Sequence, residues 1–301
     1  MSKTEIATID ATPNKRIYLS IIADYGLATA LCELIENAYD CWNHPGIGQD
    51  LKIDIALDVA QQKITIADNA GGVKEKELAK LISPGASSSD GRSETIGVFG
   101  VGSKRAVVAL AQLVQITSRH RKDGTFRLEY DDEWLASPDW HIPYYRVPEL
   151  APSTTTIALS NLRFSIKSED LKQVEEALAI TYAKIIAAGR FSISLNEKNI
   201  DAKFYDDWAY PPEAEPRSFE KRVQTASKES VRFKVTGGLT LSGGSIGGDY
   251  GVFFYGNNRM ICRAVRSAEV GFITGLAGVP HPRMSLARVI VEFRGPSGQL
   301  P

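Results

Sequence analysis

The sequence predicts an α+β protein built as two units, residues 1–165 and 166–301. Three observations lead there. Helix-spaced apolar residues and strand-like runs share the first half of the chain. Two glycine clusters interrupt that half, one just after a strand and one opening a helix. Near Phe164 the texture shifts: one long helical pattern is followed almost entirely by strand-like segments, so the boundary is expected between residues 163 and 168.

Taken in order, Leu27, Leu31, Leu34, Ile35, Ala38 and Trp42 recur at helical spacing between Asp24 and Trp42. LKIDIALDV and KITIAD alternate as half-buried strands around a turn at Gln61-Gln62. AGGVKEKELAKLI reads as a glycine turn opening a short helix. SPGASSSDGRSET, from Ser83 to Thr95, is small, polar and glycine-containing, which predicts a mobile loop. Glycines at 97, 100 and 102 precede an apolar helix, SKRAVVALAQL, and then come strands in LVQITSR, TFRLEY, YYRVP and TTTIALSNL. SEDLKQVEEALAITYAKIIAA is a second long helix, Ser168 to Ala188. FSISLN, SVRFKV, GVFFYG and ARVIVEF follow as strands, with DDWAYPPEAEPRSFEKR as an irregular excursion. GPSGQLP ends in the middle of a loop, as in a fragment of a longer chain.

The 301 residues are enough for a substantial buried core, and 43% apolar with 24% charged residues is ordinary for a folded soluble protein. Thirty-five basic residues against 36 acidic ones argue against a protein whose main task is coating nucleic acid, leaving only a local patch for such a role. The pairs Lys15-Arg16, Arg119–Lys122 and Lys221-Arg222 read as solvated faces rather than a groove. No apolar run approaches the roughly 20 residues that span a bilayer, and the polar N-terminus lacks the apolar stretch of a secretory signal. Cys32, Cys41 and Cys262 form no CxxC pair, so a disulfide framework or zinc site is not expected and the cytoplasm is the simplest home.

Three clusters carry possible chemistry. On the first helix, Glu33, Asn37 and Asp40 lie opposite the apolar sector. A solvated face explains them, yet Cys32, Leu34, Ile35 and Ala38 flank them, and a buried carboxylate and amide need partners. A magnesium ion with a nucleotide would supply one: asparagine offers a carbonyl oxygen, and a glutamate one turn earlier can orient a water. Asp68 ends an apolar strand just before Gly71-Gly72. It reads either as a helix cap or as acceptor for the exocyclic amine of a purine, with Gly72 letting the base lie against the backbone. IGVFGVGSKRA opens a helix with glycines and Lys104, an arrangement suited to an anion. It is neither the P-loop pattern nor a strand-led GxGxxG. The loop before it is long enough to fold over phosphates as a lid.

In this order ELIENAYD, DNAGGV and GVFGVGSKRA resemble the N box and the two glycine boxes of the GHKL ATPases, the superfamily of gyrase-type topoisomerases, ninety-kilodalton heat-shock chaperones, histidine kinases, MutL and MORC proteins. TTTIALSNL resembles the strand whose threonine completes the site. The resemblance covers about residues 20 to 162, and FGVGSK is closest to the chaperone and MORC branches. GVFFYGNNRMI resembles a strand-turn-strand of the transducer-like second domain of MORC proteins. The implied fold is a Bergerat-type sandwich, a mixed sheet covered by helices, followed by a ribosomal-protein-S5-like α+β domain.

The resemblance implies roles. Glu33 is the general base, Asn37 the magnesium ligand, and Asp40 a pocket wall. Asp68 reads adenine and Gly72 packs beside it. Gly97, Gly100, Val101, Gly102, Ser103 and Lys104 hold the phosphates. Thr155 assists at the adenine side, with Thr154 nearly as good an alignment. Two departures stand out. Glycine is usual where Ala70 stands, so a positive φ there would be strained. No second-domain cation for the γ-phosphate is assigned; Arg259 and Lys234 are candidates by charge. The implied ligands are ATP and magnesium, and the implied activity is slow ATP hydrolysis driving lid closure and ATP-gated homodimerisation. A DNA or protein partner and defence against foreign DNA belong to the MORC-like reading. A non-hydrolysing nucleotide sensor is the alternative. A histidine kinase needs a phospho-accepting histidine ahead of the first helix, and that stretch contains none.

Overall fold

The computed structural model describes residues 13–18, 25–43, 48–86, 95–96, 100–209, 215–240, 249–272 and 286–300. The first helical pattern is realised as α1 (Leu27–Trp42), whose Leu31, Leu34, Ile35 and Ala38 are buried. The alternation in LKIDIALDV becomes β1 (Leu51–Asp58), with Leu51, Ile53, Ile55 and Leu57 buried on one face. The chain turns through Gln62, at φ 50°, into antiparallel β2 (Lys63–Asp68). The short helix expected after the glycine turn is a 3-10 stretch, Glu75–Leu81. Residues 87–94 of the expected mobile loop lie outside the described residues.

Helix α2 (Gly102–Leu110) is shorter than its apolar pattern. The backbone extends at Ala111 (φ -144°, ψ 155°), and Arg163 donates through its backbone N–H and Nε to the Leu110 and Val108 carbonyls at 2.9 and 2.7 Å. Then come β3 (Ala111–Arg119), β4 (Thr125–Asp131), the short α3 (Asp132–Ala136), β5 (Tyr144–Arg146) and β6 (Thr154–Leu162).

The long second helix is broken. It forms α4 (Ser168–Thr181) and α5 (Ala183–Ala187), with Tyr182 at φ -106°, ψ 11° between them. The break buries Tyr182 completely, and its hydroxyl donates toward the Cys32 carbonyl at 3.2 Å and Glu36 at 3.1 Å on α1.

β7 (Phe191–Leu195) and β8 (Lys198–Asn199) complete an eight-stranded mixed sheet of order β5-β4-β3-β6-β2-β1-β7-β8. β7 runs parallel to β1, with Leu51 opposite Phe191. Val174, Leu178 and Ile193 join the same core as Leu31 and Ile53. The first sheet therefore takes in strands that lie beyond the boundary expected at 163 to 168. The sequence changes texture where the chain leaves β6, but the sheet still has an open edge at β1, and β7 closes it.

The second sheet holds β9 (Arg217–Gln224), β10 (Ser230–Leu239), β11 (Gly251–Gly256), β12 (Arg259–Val265) and β13 (Ala287–Arg294) in the order β12-β11-β13-β10-β9. Only β11 and β13 pair in parallel. One face packs Phe253, Tyr255 and Met260 with Tyr205 and with Ile180 of α4. Beyond α5 the described residues contain no α-helix, only 3-10 turns, so the helices of an S5-like domain are not seen among them. No described helix is long and apolar enough to cross a membrane.

Candidate functional site

The apolar face of α1 is held against the first sheet, which turns Glu33, Asn37 and Asp40 toward a cleft of about 860 Å3. Each fully buried leucine or isoleucine contributes on the order of 1.5–3 kcal/mol to that placement. Asn37 is exposed to the cleft, and its amide bonds no other described residue. Asp40 accepts the backbone N–H of Ile96 at 2.8 Å, one residue before the second glycine cluster begins. Glu33 is half-buried, and burial raises its carboxyl above the usual range. The neighbouring charge of Glu36 adds to this, while Arg259 and Arg105 oppose it.

Sheet register builds the floor. Asp68 on β2 stands opposite Thr155 on β6, and Thr155 stands opposite Ser118 on β3. Ser118 Oγ accepts the Val73 N–H at 2.8 Å and lies 2.9 Å from Thr155 Oγ1. Asp68 Oδ1 accepts the Ala70 N–H at 2.9 Å. Burial nonetheless pushes the Asp68 carboxyl up to about 7. Strand alternation separates the two threonines: Thr155 faces the cleft, while Thr154 reaches toward the Pro152 carbonyl at 3.5 Å.

The strain expected at Ala70 is absent. The left-handed positions are Gly71 (φ 118°) and Gly72 (φ 65°), so alanine is tolerated one residue earlier. Gly72 has a different reason to be glycine from the one expected: a Cβ there would lie 2.0 Å from the Arg119 carbonyl oxygen, so backbone, not open base-binding space, occupies that direction. His120 Nδ1 sits 2.9 Å from the Gly71 carbonyl and reinforces the same turn.

At the other end, Gly100 (φ 61°) and Val101 lead into the N-terminus of α2. The first helical bond there among the described residues is Arg105 N–H to the Val101 carbonyl at 3.1 Å, and the N–H groups of Gly102, Ser103 and Lys104 have no helical acceptor among those residues. These residues line the cleft beside Glu33. A Cβ on Gly102 would lie 1.7 Å from Glu33 Oε2, so this glycine makes room for the carboxylate. Lys104 is 6% exposed and donates to the Ala86 and Gly100 carbonyls at 2.7 and 2.6 Å; burial pushes its ammonium down to about 8.

Of the site residues read from the sequence, the fold gathers Glu33, Asn37, Asp40, Asp68, Gly72, Gly100, Val101, Gly102, Ser103, Lys104 and Thr155 around one cleft. Gly97 lies outside the described residues. Neither cation suggested for the γ-phosphate lines the cleft. Arg259 pairs with Glu36 on α1, and Lys234 lies within the second sheet opposite Glu220 and Glu292. Sequence reasoning missed Ser118, Glu36, Tyr25 and Arg105. Ser118 falls on strand β3 with no local motif, and its role comes only from register. Glu36 is one turn from Glu33 and could have been noticed on helical spacing alone.

Residues 25–156 match the family described as "Histidine kinase-, DNA gyrase B-, and HSP90-like ATPase". A GHKL ATPase domain therefore occupies that part of the chain, and it contains every cleft residue discussed above. No curated protein matches the chain.

Proposed function

We propose that the cleft binds ATP with magnesium and hydrolyses it slowly. The observation that carries this is the convergence of Glu33, Asn37, Asp68 and the α2 N-terminus on one cavity. Asp68 accepts a hydrogen bond from the adenine amine, and the Ser118–Thr155 pair supports the base edge beside it. The N–H groups from Gly102 to Lys104, which have no helical acceptor among the described residues, and the ammonium of Lys104 hold the phosphates, with Gly100 and Val101 leading into them. Glu33, its carboxyl raised above the usual range by burial, takes the proton of the attacking water.

A single unbonded amide oxygen, Asn37, suits magnesium, which keeps several waters and binds through one or two protein oxygens plus substrate phosphates. When bound, the ion would neutralise charge on those phosphates.

Slow turnover is supported by Arg259, a second-sheet cation, being engaged with Glu36 on α1 and not lining the cleft. Lid closure over ATP then favours pairing of two copies, in a MORC-like manner; FGVGSK and the GNNR hairpin support that branch. Calorimetry with the non-hydrolysable analogue AMP-PNP and magnesium, together with phosphate release from ATP, tests the reading. No heat of binding from folded protein removes it, and binding without phosphate release leaves the nucleotide-sensor alternative.

A DNA-clamp role has one observation in its favour. Arg222, Arg232 and Arg294 stand directly opposite one another across β9, β10 and β13, and none has a carboxylate partner among the described residues. Like charges in register are unfavourable alone and favour a polyanion. Salt-dependent retention on DNA that strengthens with AMP-PNP is the expected result; retention that ignores nucleotide removes the clamp.

A further inference from the structure

The tip of the β11–β12 hairpin grips the cleft from behind at two points. Asn257 and Asn258, at φ 45° and 69°, form a two-residue turn of the kind that matches strand twist. The turn buries Asn257. Its Nδ2 donates to the Thr95 carbonyl at 3.1 Å and the Gly295 carbonyl at 3.0 Å, and its Oδ1 accepts the Gly295 N–H at 3.1 Å. Thr95 is further held by a 2.8 Å contact between its hydroxyl and Ser297. The next residue, Ile96, is the one bonded to Asp40. On the far side of the turn, Arg259 Nε pairs with Glu36, one turn of α1 beyond Glu33, and the Tyr182 hydroxyl joins the same oxygen. Neither Asn257 nor Arg259 lines the cleft.

We propose that Asn257 and Arg259 are positioning residues. From the second sheet they hold the helix that bears Glu33 and the segment that leads into the second glycine cluster, so turnover depends on them and nucleotide affinity does not. The proposal rests on the nucleotide reading above. Its physical basis is a difference in support. Glu36 is a buried carboxylate whose only cationic partner among the described residues is Arg259, so losing that partner obliges α1 to shift or the carboxylate to find water. Glu33 has no slack to follow, because it already fills the space a Gly102 side chain would take. A displacement on the order of 1 Å is enough to spoil attack geometry. Asp68, Thr155 and Ser118 stand on strands of the first sheet, which the hairpin tip does not hold, so base recognition survives.

The test uses purified protein with AMP-PNP affinity, phosphate release, and hydrogen exchange of the β11–β12 amides with and without AMP-PNP. The variants are N257A, R259Q, the conservative R259K, and E36Q/R259Q, which leaves no unpaired buried carboxylate and guards against misfolding. N257A, R259Q and the double variant are expected to keep affinity within about threefold of wild type while turnover falls about tenfold or more. R259K, which can still pair with Glu36, recovers most of the rate. The protection that AMP-PNP confers on β11–β12 in wild type disappears in N257A, a readout that stands without turnover. Wild-type rates and protection in folded N257A and R259Q overturn the proposal, as does an affinity loss equal to the rate loss. Wild-type protein that fails to bind AMP-PNP overturns the nucleotide reading itself, and the proposal with it. That result is distinct from normal binding with indifferent variants, which sinks the hairpin role alone.

Discussion

The two ends of the cleft are built from different materials. At one end Asp68, Thr155 and Ser118 stand on three adjacent strands whose register sets their spacing. At the other, Gly100 to Lys104 form the N-terminus of α2 and the segment entering it, and Glu33 projects from the middle of α1, all held by Asp40, Lys104 and the second sheet. A sheet end is stiff because every residue is fixed by backbone bonds on both sides. A helix N-terminus leaves its N–H groups free and depends on what packs behind it. On the proposed reading the strand end recognises the base, and the helix end is where turnover is controlled.

The largest expected effect separates the two ends outright. Glu33→Ala should lower phosphate release by about 10²–10⁴-fold, the range of a lost general base, with AMP-PNP affinity nearly unchanged. Normal turnover in that variant would remove the division of labour. Asp68→Asn should do the opposite and weaken AMP-PNP binding by about 2–3 kcal/mol, the worth of a hydrogen bond to a charged group.

The same aspartate gives a pH signature. Folding holds its proton more tightly than the unfolded chain does, since the folded carboxyl titrates at about 7. Its contribution to the stability of the unliganded protein is therefore greatest in acid and is lost as pH climbs from about 4 toward 7. Asp68→Asn should accordingly raise the unliganded melting point at pH 8, by about 1–3 kcal/mol of stability. Nucleotide affinity runs the other way and tightens between pH 6 and 8 as the carboxylate becomes available to the base. An affinity flat across that range would place adenine elsewhere.

Gly102→Ala sharpens the comparison at the helix end. Its added methyl collides with the Glu33 carboxylate, so turnover should fall about tenfold with a smaller loss of affinity. The smallest effect belongs to Thr155→Val, which removes one hydroxyl from the Ser118 pair and should cost about 1 kcal/mol in AMP-PNP binding, read by calorimetry.

Much of the helix end was legible in the sequence alone. Glu33, Asn37 and Asp40 follow from helical spacing, and the anion-binding character of GVGSK follows from glycines opening a helix. Asp68 was visible as a strand-end carboxylate before a glycine turn. The purpose of each glycine was not: Gly72 yields to the Arg119 carbonyl and Gly102 to the Glu33 carboxylate, and both neighbours are remote in sequence. Ser118 was equally hidden, because nothing local marks the one β3 residue that faces Thr155.

Local sequence by itself determined the elements, the polar face of α1 and the chemical types of the cleft residues, because periodicity and turn chemistry act over a few residues. Only the tertiary structure decided that β7 closes the first sheet beside β1 and that Tyr182 breaks a helix to reach α1. It also decided that Arg259 serves Glu36. Each of these choices satisfies a group buried by residues more than a hundred positions away, and no local pattern encodes that need.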